Sequence, residues 1–416
     1  MQENGRSVVS AAKSARETLD GGGGIVRLAP AWVPRAFCTP GRRIKLHPHD
    51  YFPFGKERGG IDERWFSSAI RAENGPGTGP FEGLSMVVTS DEELIPFDEF
   101  VGDLRQGLLG ERLWQEWGRW PMYSKFFDNL APLPFHIHQR DEHAALVGKP
   151  GKPEAYYFAP QVNNYGGWLP ETYFGLHPET TREQLLAKIE DYLRGGDNRI
   201  TELSRAYRLT VGTGWDVPAG VLHAPGSLCT YEPQADCDVF AMFESWSNNR
   251  EVGGDLLWKD VPEDHRGDLD FLLEIVDWDE NTDATFKKNH FMEPVETGSS
   301  RADGSTAYQD KWVVYRSPRF SAKELTVAPG ERAVITDADA HGLICTQGTG
   351  IINGSELASP SMIRYGALTH DEYFVSHDAA TSGIEYVNMS SSEPLVVLRH
   401  FGPGNAQLAQ DRPADQ

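Results

Sequence analysis

The stretch Gly-Thr-Gly-Trp-Asp-Val-Pro-Ala-Gly-Val-Leu-His, residues 212–223, decides the fold that this sequence predicts. Pro218 and Gly220 are typical of a tight turn, after which the chain is expected to enter a strand that carries His223. Upstream, the sequence Phe-His-Ile-His places His136 and His138 two positions apart. Side chains alternate along a strand, so both imidazoles are expected on one face, where they can reach one ion. Together the two patterns predict a metal site with three histidine ligands.

A carboxylate is the expected fourth ligand, and two residues compete for this role. Glu154 is followed by Ala-Tyr-Tyr-Phe, which indicates a strand, whereas Glu142 lies in the charged turn Gln-Arg-Asp-Glu-His. We therefore prefer Glu154. Three imidazoles and one carboxylate, with room for water, describe an open catalytic site rather than a closed structural one.

The composition describes a folded, acidic protein that is long enough for two or three domains. The chain has 416 residues, of which 39% are hydrophobic. Its formal net charge of -22 argues against nucleic acid and anionic membrane surfaces as partners, although a small anion is not excluded. No apolar run approaches the length of a membrane span, and the first residues lack a signal-peptide pattern. Four cysteines without a metal or disulfide spacing favour a reduced compartment, so the cytoplasm is the expected location.

The pattern along the chain divides it into two β-rich regions. Residues 1–24 are polar, end in four glycines and are expected to form a mobile leader. Residues 25–250 combine short apolar runs, broken by Pro and Gly, with helical periodicity at about 94–117 and 181–193. The second predicted helix begins at a capping box of Thr180 and Glu183. Residues 251–310 form an acidic connecting segment, strand signals return at 311–403, and 404–416 form a tail.

The His-x-His pair and the Gly-x5-Pro-x-Gly-x2-His stretch match the two signatures of the cupin β-barrel. The region 311–403 contains neither signature. The predicted fold class is therefore mainly β, with two cupin barrels of the jelly-roll type and helical inserts. We expect the second barrel to bind no metal and to have a structural or interfacial role.

From about residue 45 to 403, the chain resembles the type I phosphomannose isomerases, a family with two cupin barrels. The resemblance rests on four segments, which are Leu-Ala-Pro-Leu-Pro-Phe-His-Ile-His at 130–138, Gly-Lys-Pro-Glu at 151–154, Val-Pro-Ala-Gly-Val-Leu-His-Ala at 217–224 and Tyr-Ser-Lys-Phe-Phe-Asp at 123–128. In the first segment His136 would replace a glutamine ligand of the family. The resemblance implies that Glu154 and His223 are zinc ligands, that Lys152 lies in the active site and that Lys125 points toward it.

A further segment, 231–246, aligns with the family without gaps. This alignment implies that Glu232 acts with Lys152 in proton transfer and that Gln234 binds a substrate hydroxyl. Ten residues after the glutamate the family has an active-site arginine, and here the residue is Met242. A methionine cannot hold a phosphate or polarise a carbonyl.

Two explanations of this substitution stay open. Another cation, such as Arg250, Arg140 or Lys125, takes the place of the family's arginine, or the substrate is not a sugar phosphate. Under the first explanation Arg250 is a candidate substrate-binding residue. Under the second explanation, the substrate preference shifts toward a neutral aldose or ketose.

The resemblance implies a metal-dependent aldose–ketose isomerase that acts on a small carbohydrate through an enediol. One divalent ion would serve as the Lewis acid. Zinc is the first candidate, with manganese, cobalt, iron and nickel as alternatives. The expected oligomeric state is a monomer or a homodimer. The alternative functions are a cupin oxygenase, lyase or epimerase with the same ligand set, and a non-catalytic sugar-binding protein with two barrels.

Overall fold

The computed structural model describes residues 2–163, 170–299 and 307–411. Within these ranges most strands lie in four antiparallel sheets of seven, five, nine and four strands, so the predicted mainly β class is confirmed. The division into two cupin barrels remains our interpretation of these sheets. No helix in the described ranges is long and apolar enough to cross a bilayer.

The first pair of sheets holds the predicted metal ligands. In spatial order, the seven-stranded sheet consists of Phe291–Met292, Gly214–Val217, Glu154–Tyr157, Thr230–Ala235, Met122–Phe127, Ile61–Phe66 and Ala31–Pro34. The five-stranded sheet consists of Ser204–Arg208, Glu171–Leu176, His223–Ala224, His136–Ile137 and Ala241–Met242. Aromatic side chains from both sheets, including Tyr156, Trp215 and Phe174, share one buried cluster, so the two sheets pack on each other.

The second pair of sheets belongs mostly to the C-terminal region. In spatial order, the nine-stranded sheet consists of Val295–Ser299, Tyr308–Val314, Ser321–Val327, Leu395–Phe401, His341–Gln347, Glu372–Val375, Ile25–Ala29, Met86–Val88 and Leu94–Pro96. The four-stranded sheet consists of Arg332–Ile335, Ile384–Asn388, Thr349–Ile352 and Ser355–Ala358. Two small hairpins pair Gln2–Glu3 with Arg6–Ser7 and Trp246–Ser247 with Arg250–Glu251.

The N-terminal segment is not the mobile leader that its polar composition suggested. A helix, Ala11–Gly21, buries Ala15 and Leu19 in the largest apolar core. The following strand, Ile25–Ala29, pairs with Glu372–Val375 and so extends the sheet of the C-terminal region. The two predicted β-rich regions therefore share a sheet, a pairing that leaves no trace in local periodicity.

Helices occupy both predicted inserts. The first insert contains Phe97–Leu104, Gln106–Leu109 and Glu111–Trp117, while its first three residues form a strand. The second is Arg182–Arg194, and its capping box is formed by Thr181 and Gln184, one position later than predicted. The other α-helices of the described residues, three of them in the connecting segment and one in the tail, are Asp141–Ala144, Leu269–Glu274, Trp278–Thr282, Phe286–His290, His377–Ser382 and Ala406–Asp411.

The two large sheets pack against each other, and a buried ion pair crosses their interface. Phe66 and Phe126 of the seven-stranded sheet share one core with Phe374 and Leu398 of the nine-stranded sheet. Beside this core, the Arg64 guanidinium donates to the Asp371 carboxylate at 2.8 Å and to Glu372 at 3.3 Å. All three side chains are buried, so the charges of Arg64 and Asp371 depend on each other for compensation, while burial raises the pKa of Glu372 to about 8.

Replacing Arg64 tests this link. In Arg64→Ala two buried acidic groups lose their partner, and we expect the free energy of unfolding to fall by about 3–5 kcal/mol. The matched control is Arg71→Ala, because Arg71 pairs with Asp98 while its side chain is 45% exposed. That variant should lose less than about 1 kcal/mol. Urea denaturation measures the free energy of unfolding of both variants. Equal losses of this free energy would contradict the stabilising role of Arg64 between the two sheets.

Candidate metal centre and active-site pocket

Three histidines meet where two short strands of the five-stranded sheet lie side by side. His136 and His223 are directly opposite each other in the register, and His138 follows the end of the first strand. The ring centroids are 4.2–5.0 Å apart. One ring nitrogen from each residue lies within 4.8 Å of the other two, and all three side chains are buried. The structure thus brings together the three predicted histidines in a group that could hold a metal ion.

Backbone hydrogen bonds fix the tautomer of each ring. The Nδ1 atoms lie 2.7 Å from the Pro134 carbonyl for His136, 2.7 Å from Val239 for His138 and 2.8 Å from Val221 for His223. A carbonyl oxygen only accepts, so each Nδ1 carries the hydrogen and each Nε2 presents a lone pair. This is the tautomer that a metal-binding imidazole needs.

The environment keeps two of these rings neutral. Burial is the main reason why the pKa of His136 lies well below its ordinary value, and the neighbouring rings lower it further. Burial and the Lys152 ammonium lower the pKa of His138 to about 3. Neutral imidazole is the form that binds metal ions, so no proton has to be displaced from these nitrogens at neutral pH.

Glu154 reaches the same centre from the seven-stranded sheet. Its carboxylate oxygens lie 3.0 Å from Nε2 of His138 and 3.0 Å from Nε2 of His223. Nε2 of His223 has no hydrogen-bond partner among the described residues, so a nitrogen lone pair faces a carboxylate oxygen. Two acceptors at this distance repel each other unless a cation lies beside both. The donor set therefore fits a divalent ion that takes nitrogen and oxygen ligands.

The competing carboxylate lies elsewhere. Glu142 is in the helix Asp141–Ala144, its side chain is 59% exposed, and it pairs with Arg140 at 3.1 Å. Its carboxylate is therefore engaged at the surface, while that of Glu154 contacts two of the imidazoles. This placement supports the choice of Glu154, which stays a prediction until metal binding is measured.

A small pocket, with a cavity volume of about 30 Å³, opens at the histidine centre. Its walls include the predicted residues Lys125, Lys152 and Glu232 together with three of the four predicted ligands. Lys125 and Glu232 are directly opposite each other on adjacent strands, and the ammonium lies 3.2 Å from the carboxyl group. The Lys152 ammonium lies 3.1 Å from Nε2 of His138 and 3.4 Å from the Glu154 carboxylate.

One carboxyl group of the pocket, that of Glu232, has a raised pKa. Burial raises the pKa of Glu232 well above its ordinary value, and the nearby Glu154 carboxylate adds to this shift. Burial alone would lower the pKa of Lys125, but the Glu232 and Glu63 carboxylates raise it. A carboxyl group with a raised pKa therefore lies beside an ammonium that stabilises its ionised form, an arrangement suited to proton transfer.

The predicted substrate-binding residues Gln234 and Arg250 do not line the pocket. The Gln234 amide donates to the Tyr123 hydroxyl and to the Cys237 carbonyl, so its N–H groups are used within the protein. Arg250 is exposed on a surface hairpin and donates to Thr39 and to the Ala36 carbonyl. Arg140, the other cation considered, pairs with Glu142 and Asp277.

Three charged pocket residues were not predicted. They are Arg35, Glu63 and Asp238, and the arginine binds both acids, with contacts of 3.1 Å to each. The available signal was the strand Ile-Asp-Glu-Arg-Trp-Phe at 61–66, where three successive charges stand between large apolar residues. Charges in such a strand are buried together with the strand, and buried charges need partners.

Comparison with known proteins identifies the fold. No protein-family model and no curated protein matches the sequence. Solved structures do match, among them a point mutant of phosphomannose isomerase from Salmonella typhimurium, with 12% identity, a TM-score of 0.62 and coverage of 92% of this chain and 100% of the other. The mannose 6-phosphate isomerase from Bacillus subtilis has 15% identity, a TM-score of 0.56 and coverage of 91% and 99%. A zinc-bound mannose 6-phosphate isomerase has 12% identity, a TM-score of 0.59 and coverage of 92% and 100%. The chain therefore has the fold of the phosphomannose isomerases.

Proposed function

We propose that the protein is a metal-dependent aldose–ketose isomerase that acts on a small carbohydrate. The observation that carries this proposal is the convergence of three buried imidazoles and a carboxylate at a pocket that is also lined by Glu232, Lys125 and Lys152. The fold shared with phosphomannose isomerases supports the same conclusion.

His136, His138, His223 and Glu154 would hold one divalent ion. Zinc is the first candidate, because neutral imidazole and carboxylate are common zinc ligands and one structure of the same fold has zinc bound. Manganese, cobalt, iron and nickel accept the same ligands. The bound ion would supply a Lewis acid for the substrate's carbonyl oxygen.

The residues beside the ligands would move the protons. Conversion of an aldose to a ketose removes the hydrogen from carbon 2, adds a proton to carbon 1 and moves one proton between the two oxygens, without net gain or loss. In its ionised form Glu232 would take the proton from carbon 2, and Lys125, at 3.2 Å, stabilises that form. Lys152 would donate to the substrate oxygen on which negative charge develops.

Metal analysis tests the ligand set. Purified protein reconstituted with zinc should contain about one ion per chain, and His138→Ala should lose both the metal and the activity, because one of the four ligands is missing. Elemental analysis after gel filtration gives the stoichiometry. A wild-type value below about a tenth of an ion per chain, far under that expected of such a tight site, would exclude the site.

Two carboxylate variants form the matched comparison. Glu154→Gln should lower the metal affinity by at least about 10- to 100-fold. This is the range found when groups that only support the ligands of a metal site are removed. Glu142→Gln should leave the metal content unchanged, because its side chain is exposed and pairs with Arg140. The reverse result would identify Glu142 as the fourth ligand.

Glu232→Gln tests the proton-transfer role. The amide cannot accept the proton from carbon 2, so kcat should fall about 10²- to 10⁴-fold while the metal content stays the same. The measurement is release of deuterium to water from a sugar labelled at carbon 2. The matched control is Glu324→Gln, which alters another buried glutamate that pairs with a lysine, Lys311, at 2.8 Å in the C-terminal region. Unchanged deuterium release in the Glu232 variant would contradict the proton-transfer role.

If no sugar is turned over with any metal, the oxygenase or sugar-binding alternatives replace the isomerase proposal.

A further inference from the structure

We propose that Glu63 and Asp238, held in place by Arg35, form a subsite that binds substrate hydroxyl groups, and that the substrate is an uncharged sugar. The proposal rests on the proposed function, because the subsite lies in the same pocket. It names binding residues that the Met242 substitution alone does not give, and it selects the second of the two explanations of that substitution.

Arg35 has no N–H group left for a ligand. Its Nε donates to Glu63 at 3.1 Å, and its two NH groups donate to Asn74 at 2.7 Å, to Glu63 at 3.4 Å and to Asp238 at 3.2 and 3.1 Å. A guanidinium carries five N–H donors, and these five contacts use all of them. Arg35 is therefore a positioning residue, since a phosphate could bind it only by displacing one of the two acids.

The other cations of the pocket are also paired. The Lys125 ammonium contacts Glu232 at 3.2 Å and Glu63 at 3.6 Å. The Lys152 ammonium contacts Glu154 at 3.4 Å. Phosphate sites usually present several donors that no protein acid occupies, often from arginine. Among the residues that line the pocket, each of the three cations already has at least one acidic partner, and the acids are Glu63, Glu154, Glu232 and Asp238.

The wall at the position of the family's arginine is apolar. Met242 packs with Phe240 and Val252 and is buried. Phe37 and Phe240 both line the pocket and pack edge to face, with ring centroids 6.2 Å apart. Lys259 lies over the Phe240 ring, but its ammonium is bound to Asp260 at 2.6 Å. Such a wall suits the C–H face of a sugar and offers nothing to a phosphate.

Glu63 and Asp238 are fixed, ionised acceptors. Burial alone would raise the pKa of both groups, but the charge of Arg35 keeps the pKa of each below its ordinary value. A carboxylate has about four lone-pair positions, and the side chain of Asp238 accepts from Arg35 and from the backbone N–H of Glu73 at 3.1 Å. Asp238 therefore keeps an unused lone pair that can accept a sugar hydroxyl, while Glu63 also accepts from Nε1 of Trp65 at 2.6 Å. The two acids and Arg35 together carry a net negative charge, which repels a phosphate.

Kinetics on the metal-loaded full-length protein provide the test. We expect kcat/KM for mannose or lyxose to equal or exceed that for mannose 6-phosphate. Asp238→Asn should raise KM for the free sugar about 10- to 100-fold, the effect of one charge-assisted hydrogen bond, and change kcat much less. Asp236→Asn is the matched control, because this acid lies two residues away and pairs with Arg119 outside the pocket. It should leave both constants unchanged.

Binding of unreactive polyols separates this inference from the proposed function. Calorimetry should show that mannitol binds the wild-type protein and binds Asp238→Asn more weakly. This result would support the subsite even if no sugar is isomerised. Two results would overturn the inference and leave the isomerase proposal intact. The first is binding of mannitol 1-phosphate about 100-fold or more tighter than that of mannitol, and the second is a similar preference for mannose 6-phosphate over mannose in turnover. Binding of neither polyol would also overturn it. If Asp238→Asn does not fold, the wild-type comparison alone decides.

Discussion

Three nitrogen lone pairs and a carboxylate, buried within a few ångströms of one another, are the constraint on which the rest of this structure depends. Lone pairs and a negative charge at this distance repel one another unless a cation lies between them. Burial away from water strengthens this repulsion. The backbone carbonyls that hold the Nδ1 hydrogens leave the rings with one available tautomer. Main-chain hydrogen bonds therefore orient the three imidazoles for binding a cation.

The ligands come from two different sheets, which explains why the sheets must be held firmly. The histidines lie on or beside strands of the five-stranded sheet, and Glu154 begins a strand of the seven-stranded sheet. A small shift of one sheet against the other would separate the carboxylate from the imidazoles. The shared aromatic cluster of Tyr156, Phe174 and Trp215 opposes such a shift, because close-packed side chains transmit displacement instead of absorbing it.

Sequence reasoning predicted the parts of the site that depend on local spacing. The alternation of His136 and His138 and the turn before His223 are properties of a few consecutive residues, and the structure brings these three side chains together. The capping box was misplaced by one residue, since Thr180 and Thr181 are equally good caps by composition. Arg35 was missed because its role depends on Glu63 and Asp238, and the latter is 203 residues away in the chain. The mobile-leader prediction for residues 1–24 failed because the helix Ala11–Gly21 is buried against distant segments in the largest core. The strand after this helix, Ile25–Ala29, pairs with the distant strand Glu372–Val375.

That last pairing has a consequence for the order in which the protein can fold. Arg27 contacts His370, which is 343 residues later in the sequence and lies just before the strand Glu372–Val375 that pairs with Ile25–Ala29. During synthesis the segment Ile25–Ala29 emerges before its partner strand Glu372–Val375. One of its edges therefore stays unpaired until that strand has been made. Contacts between such distant segments slow folding, and an uncovered apolar edge invites association with other chains. This edge is therefore covered only after the strand Glu372–Val375 has been synthesised.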